Sequence, residues 1–213
     1  MFRDRHDAAL RLAESLKKYK GQNPLILGIP RGGVVIGSVL ARELHGDLDI
    51  ILTCKLRAPG NPELAMGSID ENGSSYLNKS IVDVLQISDE TIEEERNRQL
   101  AVIRRRAESY RHICPKKPLE NRIVIITDDG IATGATMRAA IQSAWAAQPK
   151  RLVVALPVGP PGQVAELEPD VDEMVCIDLP PNFMAVGQFY ESFDQVEDEH
   201  VVEILINLAK MRS

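Results

Sequence analysis

The feature that most constrains the fold is the segment at residues 122–138, RIVIITDDGIATGATMR. Its apolar, β-branched beginning predicts a buried strand, and its end predicts a helix over residues 137–147. Between them lie two carboxylates, Asp128 and Asp129, and a loop of small and hydroxylated residues. A strand, a loop and a helix in this order form the unit from which sheets with helices on their faces are built.

The loop of this segment has the chemistry of a site for a phosphorylated sugar. Amides without partners and the dipole at a helix start attract a phosphate, and Thr133 and Thr136 add hydroxyl donors. Asp128 and Asp129 can accept hydrogen bonds from the vicinal hydroxyls of a ribose. An ordinary strand-to-helix turn is the alternative, but it requires one capping residue and not this whole set.

A second unit of the same kind lies near the start of the chain. Residues 24–30 predict a short strand, Arg31, Gly32 and Gly33 a loop, and residues 34–44 a helix. The loop amides and the guanidinium suit a diphosphate, although glycines in such a turn often serve only the close packing of helix on strand. Neither the GxxxxGK[ST] nor the GxGxxG pattern occurs, so nucleoside triphosphate and dinucleotide sites lack their signature.

The next stretch combines a strand with a long segment that has no helical pattern. Residues 49–57 predict one strand with Lys55 and Arg57 at its carboxyl end, where open α/β sheets bind ligands. A solvated strand end explains Arg57 about as well. Residues 58–78 predict two short strands around Asn72-Gly73, and a segment of this length is typical of a lid over a site or of a disordered segment.

Further helices and strands alternate along the rest of the chain. Patterns predict helices at 3–19, 89–112 and 198–211 and strands at 151–158 and 172–179, with Ser88 capping the long helix. In that helix the basic run at 104–106 is better explained as a solvated face than as a phosphate or nucleic-acid site. The alternation predicts an α/β fold with a doubly wound parallel sheet.

Composition narrows the classes of function. The chain has 213 residues, 44% of them apolar and only 4% aromatic, which suits one α/β domain with an aliphatic core. A net charge of −6 weighs against a nucleic-acid partner. Three cysteines without a CxxC pair predict a reducing compartment, and no apolar run approaches the ~18 residues of a membrane span. We therefore expect a cytoplasmic protein without a membrane partner or a signal peptide.

The segment at residues 128–136, DDGIATGAT, resembles the phosphoribosyl-pyrophosphate (PRPP) binding motif of type I phosphoribosyltransferases. That motif follows an apolar strand with two acidic residues, three variable ones, Thr or Ser, Gly, any residue and Thr. The resemblance covers about residues 24–195. It implies a single domain over residues 1–213, in which a core sheet of about five strands occupies residues 24–158. It also implies a flexible hairpin at 58–78 and a small hood at 159–195, joined by the first helix and followed by a terminal helix at 198–211.

The resemblance further implies a transferase of nucleotide metabolism that moves 5-phosphoribosyl from PRPP to a nitrogenous base and releases pyrophosphate. Magnesium would be bound to PRPP itself and would contact Asp128 and Asp129 only through water molecules. Catalytic roles would fall to Asp128, Asp129, Lys55 and Glu63. Homodimers are usual in such families. The implied PRPP-binding residues are Arg31, Gly32, Gly33, Lys55, Arg57, Asp128, Asp129, Gly130, Ile131, Ala132, Thr133, Gly134, Ala135 and Thr136.

The sequence does not identify the acceptor of the phosphoribosyl group. Aromatic residues are concentrated in the hood, where Phe183, Phe189 and Tyr190 either stack on an acceptor base or only pack the last helix against the sheet. In 6-oxopurine transferases an Asp typically precedes the first Thr of the motif, whereas this chain has Ala132. Adenine-type motifs have Ala there and take the acid/base group from the flexible loop, which makes Glu63 the candidate. Residues 59–67 resemble a group of predicted phosphoribosyltransferases without an assigned acceptor.

Two other classes of function remain open. A regulator could bind PRPP without transferring anything, although such regulators usually add a DNA-binding domain or a basic face, and neither is evident in the sequence. A hydrolase could act on a phosphorylated sugar. The release of pyrophosphate with and without an acceptor distinguishes all three classes.

Overall fold

The apolar runs of the sequence form the strands of two sheets. The computed structural model describes residues 1–210, apart from the side chains of residues 62, 63 and 209. The strands are β1 (Leu25–Gly28), β2 (Asp47–Ile50), β3 (Thr53–Ala58), β4 (Asn61–Asp70), β5 (Ser75–Leu77), β6 (Ile123–Thr127), β7 (Arg151–Val158) and β8 (Glu173–Asp178). The helices are α1 (Arg5–Ser15), α2 (Gly32–Glu43), α3 (Lys79–Val84), α4 (Asp89–Arg111), α5 (Ala135–Ala146), α6 (Pro161–Leu167) and α7 (Asp198–Lys210).

The larger sheet has five parallel strands in the order β2-β1-β6-β7-β8. Alternate side chains of its strands point to opposite faces, so that Ile125 packs in one core and Val124 and Ile126 in the other. Helices α1 and α2 cover the first face, and α5 covers the second. The prediction of a doubly wound parallel sheet is confirmed, because both faces are apolar and both carry helices.

The prediction of one strand over residues 49–57 is wrong. Strand β2 ends at Ile50, and after the buried Ile51 and Leu52 the chain starts β3 in a separate antiparallel sheet of order β3-β4-β5. The apolar run continues across this break because Ile51 and Leu52 are as buried as the strand residues, so the pattern shows no boundary. Lys55 and Arg57 therefore lie in the hairpin sheet and not at the carboxyl end of a core strand.

The antiparallel sheet β3-β4-β5, here called the hairpin sheet, packs on helices α5 and α4. The Ser68 hydroxyl donates to Gln142 Oε1 of α5 at 2.8 Å, and the Ser143 hydroxyl donates to Asp70 Oδ2 at 3.1 Å. At the turn between β4 and β5, Arg111 of α4 donates to both carboxylate oxygens of Glu71. These contacts hold β4 and β5 against α5 and the end of α4.

The remaining helices follow the sequence pattern with small differences. The Ser88 hydroxyl accepts from the Thr91 amide and caps α4 as predicted, whereas the short helix α3 has no counterpart among the predictions. The predicted first helix divides into α1 and a 3₁₀ turn at Lys17–Tyr19. The last predicted residue of the terminal helix, Met211, lies outside the described residues.

The segment predicted as a hood contains α6, the edge strand β8 and an irregular stretch with a 3₁₀ turn at Val186–Phe189. Phe2 forms a bridge with Tyr190, and its amide donates to the Phe189 carbonyl, so the start of the chain is bound to this stretch. Across residues 1–210, no helix combines the length and the apolar composition needed to cross a membrane.

Candidate functional site

The loop between β6 and α5 leaves the start of α5 open. Gly134, the residue before the helix, has φ 70°, a left-handed conformation that suits glycine. Because glycine has no side chain, this residue cannot cap the first amides of the helix. Thr133 and Thr136 are exposed beside it. The first turn of α5 therefore has amides without a side-chain cap beside two exposed threonines, as the sequence predicts for a phosphate site.

The two carboxylates before this loop are held in place by other parts of the chain. Arg5 of α1 donates from Nε to Asp129 Oδ2 at 2.8 Å, and its guanidinium lies 3.8 Å from the centre of the Phe193 ring. The Tyr190 hydroxyl donates to the Asp129 carbonyl at 2.6 Å. The Asp129 amide donates to Asp128 Oδ1 at 2.9 Å. The pair is therefore a fixed feature of the fold and not a flexible surface group.

The environment of the pair disfavours two negative charges. Burial raises the pKa of Asp128 well above its usual range, and the charge of Asp129 raises it further. Burial also raises the pKa of Asp129, against which the hydrogen bond from Arg5 acts to lower it. A cation or the hydroxyl groups of a sugar beside these carboxylates would relieve this cost.

The loop between β1 and α2 packs directly against the carboxylates. A Cβ atom on Gly32 would stand 1.9 Å from Asp129 Oδ2, and one on Gly33 would stand 2.6 Å from the Thr127 carbonyl oxygen. The Gly33 amide makes a hydrogen bond that lowers the pKa of Asp128. The peptide between Pro30 and Arg31 is cis. The two glycines thus allow this loop to touch the end of β6.

Arg31 points away from the glycines. Its Nη1 lies 2.8 Å from Oε2 of Glu197, just before α7, and both side chains are exposed in part. This partner removes the guanidinium from immediate contact with the carboxylate pair. The predicted role of Arg31 with a diphosphate therefore requires that it exchange one anion for another.

A cavity of about 440 Å³ lies between the open start of α5, the hairpin sheet and α4. Thr133 and Thr136 line it on one side, and the predicted cations Lys55 and Arg57 line it on another. Two basic residues of α4 that were not predicted as site residues, Arg98 and Arg106, also line it. The structure thus brings the predicted phosphate loop and the predicted hairpin cations to one space.

The three predicted acceptor-binding aromatics have different surroundings. Phe183 and Phe189 stack on each other with ring centroids 5.2 Å apart, and both are partly exposed. Tyr190 is buried, and its ring packs on Phe2 and Phe193 while its hydroxyl reaches the Asp129 carbonyl. Tyr190 therefore supports the carboxylate pair, and stacking on an acceptor stays a prediction for Phe183 and Phe189.

Other predicted site residues are also located by the fold. Gly130 and Ile131 are buried, and the Gly130 backbone lies against Val186 and Val158. Ala132 is exposed between the carboxylates and Thr133. Glu63 belongs to β4, but its side chain lies outside the described residues. Its acid/base role stays a prediction.

Sequence reasoning missed Arg5, Arg98 and Arg106. Arg5 carries no motif, since its partner Asp129 is 124 residues away in the chain. Arg106 does leave a signal, because it falls on the same helical stripe as Gln99, Ile103 and Tyr110, which are all buried. A charged residue within a buried stripe indicates a face that meets something other than bulk solvent.

The donor set fits magnesium that is bound mainly by its substrate. Within the described side chains, no group of three or more His, Cys, Asp or Glu residues is placed to hold a metal ion. Asp128 and Asp129 offer two adjacent carboxylates whose mutual repulsion raises the pKa of Asp128. Magnesium prefers oxygen ligands and keeps several waters, so two carboxylates at the edge of a site suit it.

Comparison with known proteins agrees with this arrangement. A family model described as a phosphoribosyl transferase domain matches residues 4–194. Two curated relatives from two strains of Mycobacterium tuberculosis, each provisionally named as a phosphoribosyl transferase, are 41% identical over 205 residues. The match covers 96% of this chain and 46% of each relative, so the chain spans about half the length of these curated relatives.

A solved structure extends the comparison to the fold. A crystal structure of a protein from Thermus thermophilus is 42% identical and has a TM-score of 0.89, and the match covers 97% of this chain and 98% of that one. The parallel sheet, the hairpin sheet and the helices around them are therefore shared with an experimentally determined protein over nearly the whole chain. With the family match over residues 4–194, this agreement shows that the chain belongs to the phosphoribosyl transferase domain family.

Proposed function

We propose that the protein transfers the 5-phosphoribosyl group of PRPP to a nitrogen atom of a small acceptor and releases pyrophosphate. The observation that carries the proposal is the cavity that joins the exposed hydroxyls of Thr133 and Thr136 to the cations Lys55 and Arg57. A ligand with one phosphate at the start of α5 and a second anionic group near the hairpin fits this arrangement. PRPP has both, one at each end of its ribose.

The start of α5 would bind the 5′-phosphate. The first-turn amides point to solvent, and Gly134 gives the loop its left-handed turn without a side chain above them. The hydroxyls of Thr133 and Thr136 would each donate one further hydrogen bond. These donors would hold the phosphate, and with it the sugar, at a fixed distance from the carboxylates.

Asp128 and Asp129 would bind the ribose hydroxyls and stabilise the reacting sugar. In the transfer, the bond between ribose C1 and a pyrophosphate oxygen breaks with its electron pair on pyrophosphate, and the lone pair of the acceptor nitrogen forms the new bond to C1. The sugar ring becomes positive between these events. Asp128 and Asp129 would stabilise that charge without any rearrangement of their side chains, because Arg5, Tyr190 and the Gly33 amide already hold these residues.

Charge on the departing pyrophosphate also has to be neutralised. Lys55 and Arg57 line the cavity, and Arg31 would have to leave Glu197 to join them. Magnesium bound to PRPP would supply further positive charge to the leaving group. The acceptor nitrogen loses a proton in the reaction, and Glu63 on the hairpin is the candidate to accept it.

The acceptor side is proposed more broadly. The stacked Phe183 and Phe189 are partly exposed, which suits a flat heterocyclic base. Ala132 supplies no acid/base group beside that base.

The relatives named as phosphoribosyl transferases support a role in nucleotide metabolism. We also propose a cytoplasmic location, which the three free thiols of Cys54, Cys114 and Cys176 support, and a homodimer, which is usual in the families that the chain resembles.

A substrate panel tests the proposal. The protein is incubated with PRPP, magnesium and individual purines, pyrimidines and pyridines, and pyrophosphate release is measured. Release that depends on an acceptor supports transfer. Release without any acceptor would instead indicate a hydrolase, and tight PRPP binding without release would indicate a sensor.

The role of Glu63 is tested separately with the acceptor that the panel identifies. We expect Glu63→Gln to lower kcat by about a hundredfold while PRPP still binds, because general base catalysis typically contributes 10²–10⁴-fold. Glu90→Gln, on the exposed first turn of α4, is the matched control. Full turnover by Glu63→Gln would exclude this residue as the acid/base group.

A further inference from the structure

The cavity between the hairpin sheet and α4 has an unusual charge for this protein. Four basic side chains line it and no described acidic one does, although the whole chain has a net charge of −6. The basic residues are Lys55 and Arg57 of β3 and Arg98 and Arg106 of α4. Cations gathered in a concave site concentrate positive potential there and attract an anion.

Three of the residues around this cavity are fixed by a buried carboxylate. Glu95 of α4 accepts from Arg98 at 2.9 Å, from the Gln99 amide group at 2.8 Å and from the Arg57 backbone amide at 3.2 Å. This cluster joins α4 to β3, so the wall of the cavity is rigid. The carboxylate of Glu95 also offsets the charge of Arg98.

Arg106 differs from Arg98 because no described residue forms an ion pair or hydrogen bond with its side chain. It lies on the stripe of α4 that also carries the buried Gln99, Ile103 and Tyr110. The neighbouring Arg104 and Arg105 point elsewhere on the helix and do not line the cavity. An exposed guanidinium that lines a cavity and has no partner among the described residues is suited to bind an anionic ligand.

The surroundings of Arg106 show which end of the cavity it serves. Burial raises the pKa of the Tyr110 hydroxyl, and Arg106 and Arg31 both act on the same hydroxyl to lower it. Arg106 likewise acts on Cys54 of β3. Arg106 lines the cavity together with Cys54 of β3 and with Pro30, the residue just before Arg31, and this is the side of the site proposed for the leaving group.

We propose that Arg106, together with Lys55 and Arg57, binds the diphosphate of the donor in this cavity, an inference that rests on the proposed function. A guanidinium can make two parallel hydrogen bonds to phosphate oxygens, which fixes the orientation of the diphosphate. Because Arg106 belongs to a long helix attached to β3 through Glu95, it is held on the same cavity as Lys55 and Arg57 of that strand. It positions the leaving group and neutralises part of its charge.

The test compares binding of inorganic pyrophosphate and of ribose 5-phosphate by isothermal titration calorimetry in a buffer with magnesium. We expect Arg106→Gln to weaken pyrophosphate binding about tenfold or more, because a charge-assisted hydrogen bond is lost. Ribose 5-phosphate should bind within twofold of the wild-type affinity. Arg106→Lys, which keeps the charge, should recover part of the pyrophosphate affinity.

Arg104→Gln is the matched control, since it removes the same charge from the same exposed run and leaves the cavity unchanged. Equal pyrophosphate affinities of the Arg104 and Arg106 variants would overturn the proposal, as would wild-type protein that does not bind pyrophosphate. An equal loss of ribose 5-phosphate affinity would place Arg106 at the 5′-phosphate end and overturn it too. Pyrophosphate binding that depends on Arg106 without any transfer in the acceptor panel would defeat the proposed function alone.

Discussion

The loops after β1 and β6 both contain glycines and both lie at the carboxyl edge of the parallel sheet, but they have different surroundings. The loop after β6 leaves Thr133 and Thr136 exposed at an open helix start. The loop after β1 is short, and its Gly32 and Gly33 are in contact with the end of β6. One loop therefore faces the cavity, whereas the other faces the first loop.

The glycines of the two loops accordingly serve different physical needs. Gly134 supplies a left-handed conformation, with φ 70°, that a side chain would strain. Gly33 supplies space, because a Cβ atom there would meet the backbone of Thr127 and Asp128. Similar local sequence can thus encode an uncapped helix start at one loop and the support of carboxylates at another.

Of all the substitutions, those at the two carboxylates between the loops should have the largest effect on ligand binding. Replacement of both Asp128 and Asp129 by Asn should weaken PRPP binding about a hundredfold or more, since each charged hydrogen-bond acceptor contributes roughly 1.5–3 kcal/mol. The fold should persist, because burial already disfavours the charge of both groups. Calorimetry with PRPP and circular dichroism measure the two outcomes.

The control for the double variant is Asp83→Asn, on the exposed side of α3. It removes one carboxylate far from the loops and should leave PRPP affinity unchanged. If the double variant binds PRPP as tightly as wild-type protein, the two loops do not meet at a sugar site and the assignment of the motif fails.

The support role of the second loop predicts the next largest effect. Gly33→Ala should lower the free energy of unfolding by about 1–3 kcal/mol, because the added methyl group overlaps backbone atoms that cannot move aside. The melting temperature should then fall by roughly 2–4 °C for each kcal/mol. Thermal unfolding followed by circular dichroism measures this change.

Gly162→Ala is the matched control for Gly33→Ala. Gly162 lies in the first turn of α6, and an added Cβ atom would meet nothing within 4 Å. This variant should be as stable as the wild-type protein or slightly more stable, because alanine favours a helix. If Gly33→Ala were equally harmless, the close contact between the two loops would not contribute to stability.

Most of the fold could be predicted because its strands are apolar runs bounded by loops. Strand β6 and the open helix after it follow from their residue pattern, since burial and turn chemistry both leave local signals. The boundary between β2 and β3 could not be predicted. Ile51 and Leu52 are buried outside either strand, and local pattern does not record which sheet a strand joins.

The site could be predicted only where its residues are neighbours in sequence. Asp128 to Thr136 form one motif, and Lys55 and Arg57 are two residues apart on one strand. Arg5 reaches Asp129 from a distant helix, and the fold alone creates that contact. The contact of Tyr190 with the motif could not be predicted for the same reason, since its hydrogen bond to the Asp129 carbonyl has no local signature.

Arg5 offers a way to separate the support of the carboxylates from their contact with the sugar. Arg5 lowers the pKa of Asp129 against the effect of burial, so Arg5→Gln should raise that pKa. Asp129 would then become protonated at a higher pH, and PRPP affinity should begin to fall at a higher pH than in the wild-type protein. At neutral pH we expect a loss of about tenfold, because a partly buried charge loses its partner.

Stability should respond to the same variant with a defined sign. Where the native state binds more protons than the unfolded state, stability decreases as pH rises. Because Arg5→Gln raises the native pKa of Asp129, its stability should decrease more steeply with rising pH than that of the wild-type protein. Arg3→Gln, whose ion pair with Asp7 is 3.4 Å long and mostly exposed on the arginine side, is the control. Identical pH profiles for both variants would show that Arg5 acts only by packing on Phe193.

The smallest effect concerns Arg31, the one charged side chain of the second loop. Its exposed ion pair with Glu197 is of the kind that contributes roughly 0–1 kcal/mol, so Glu197→Gln should leave stability almost unchanged. The released guanidinium should be available to an anion, and we expect inorganic pyrophosphate to bind about twofold more tightly at low ionic strength. Glu191→Gln, at another exposed position of the same stretch, should not alter this affinity. Weaker binding by Glu197→Gln would show instead that Glu197 orients Arg31 toward the ligand, and the second loop would then join the first as a direct binding element.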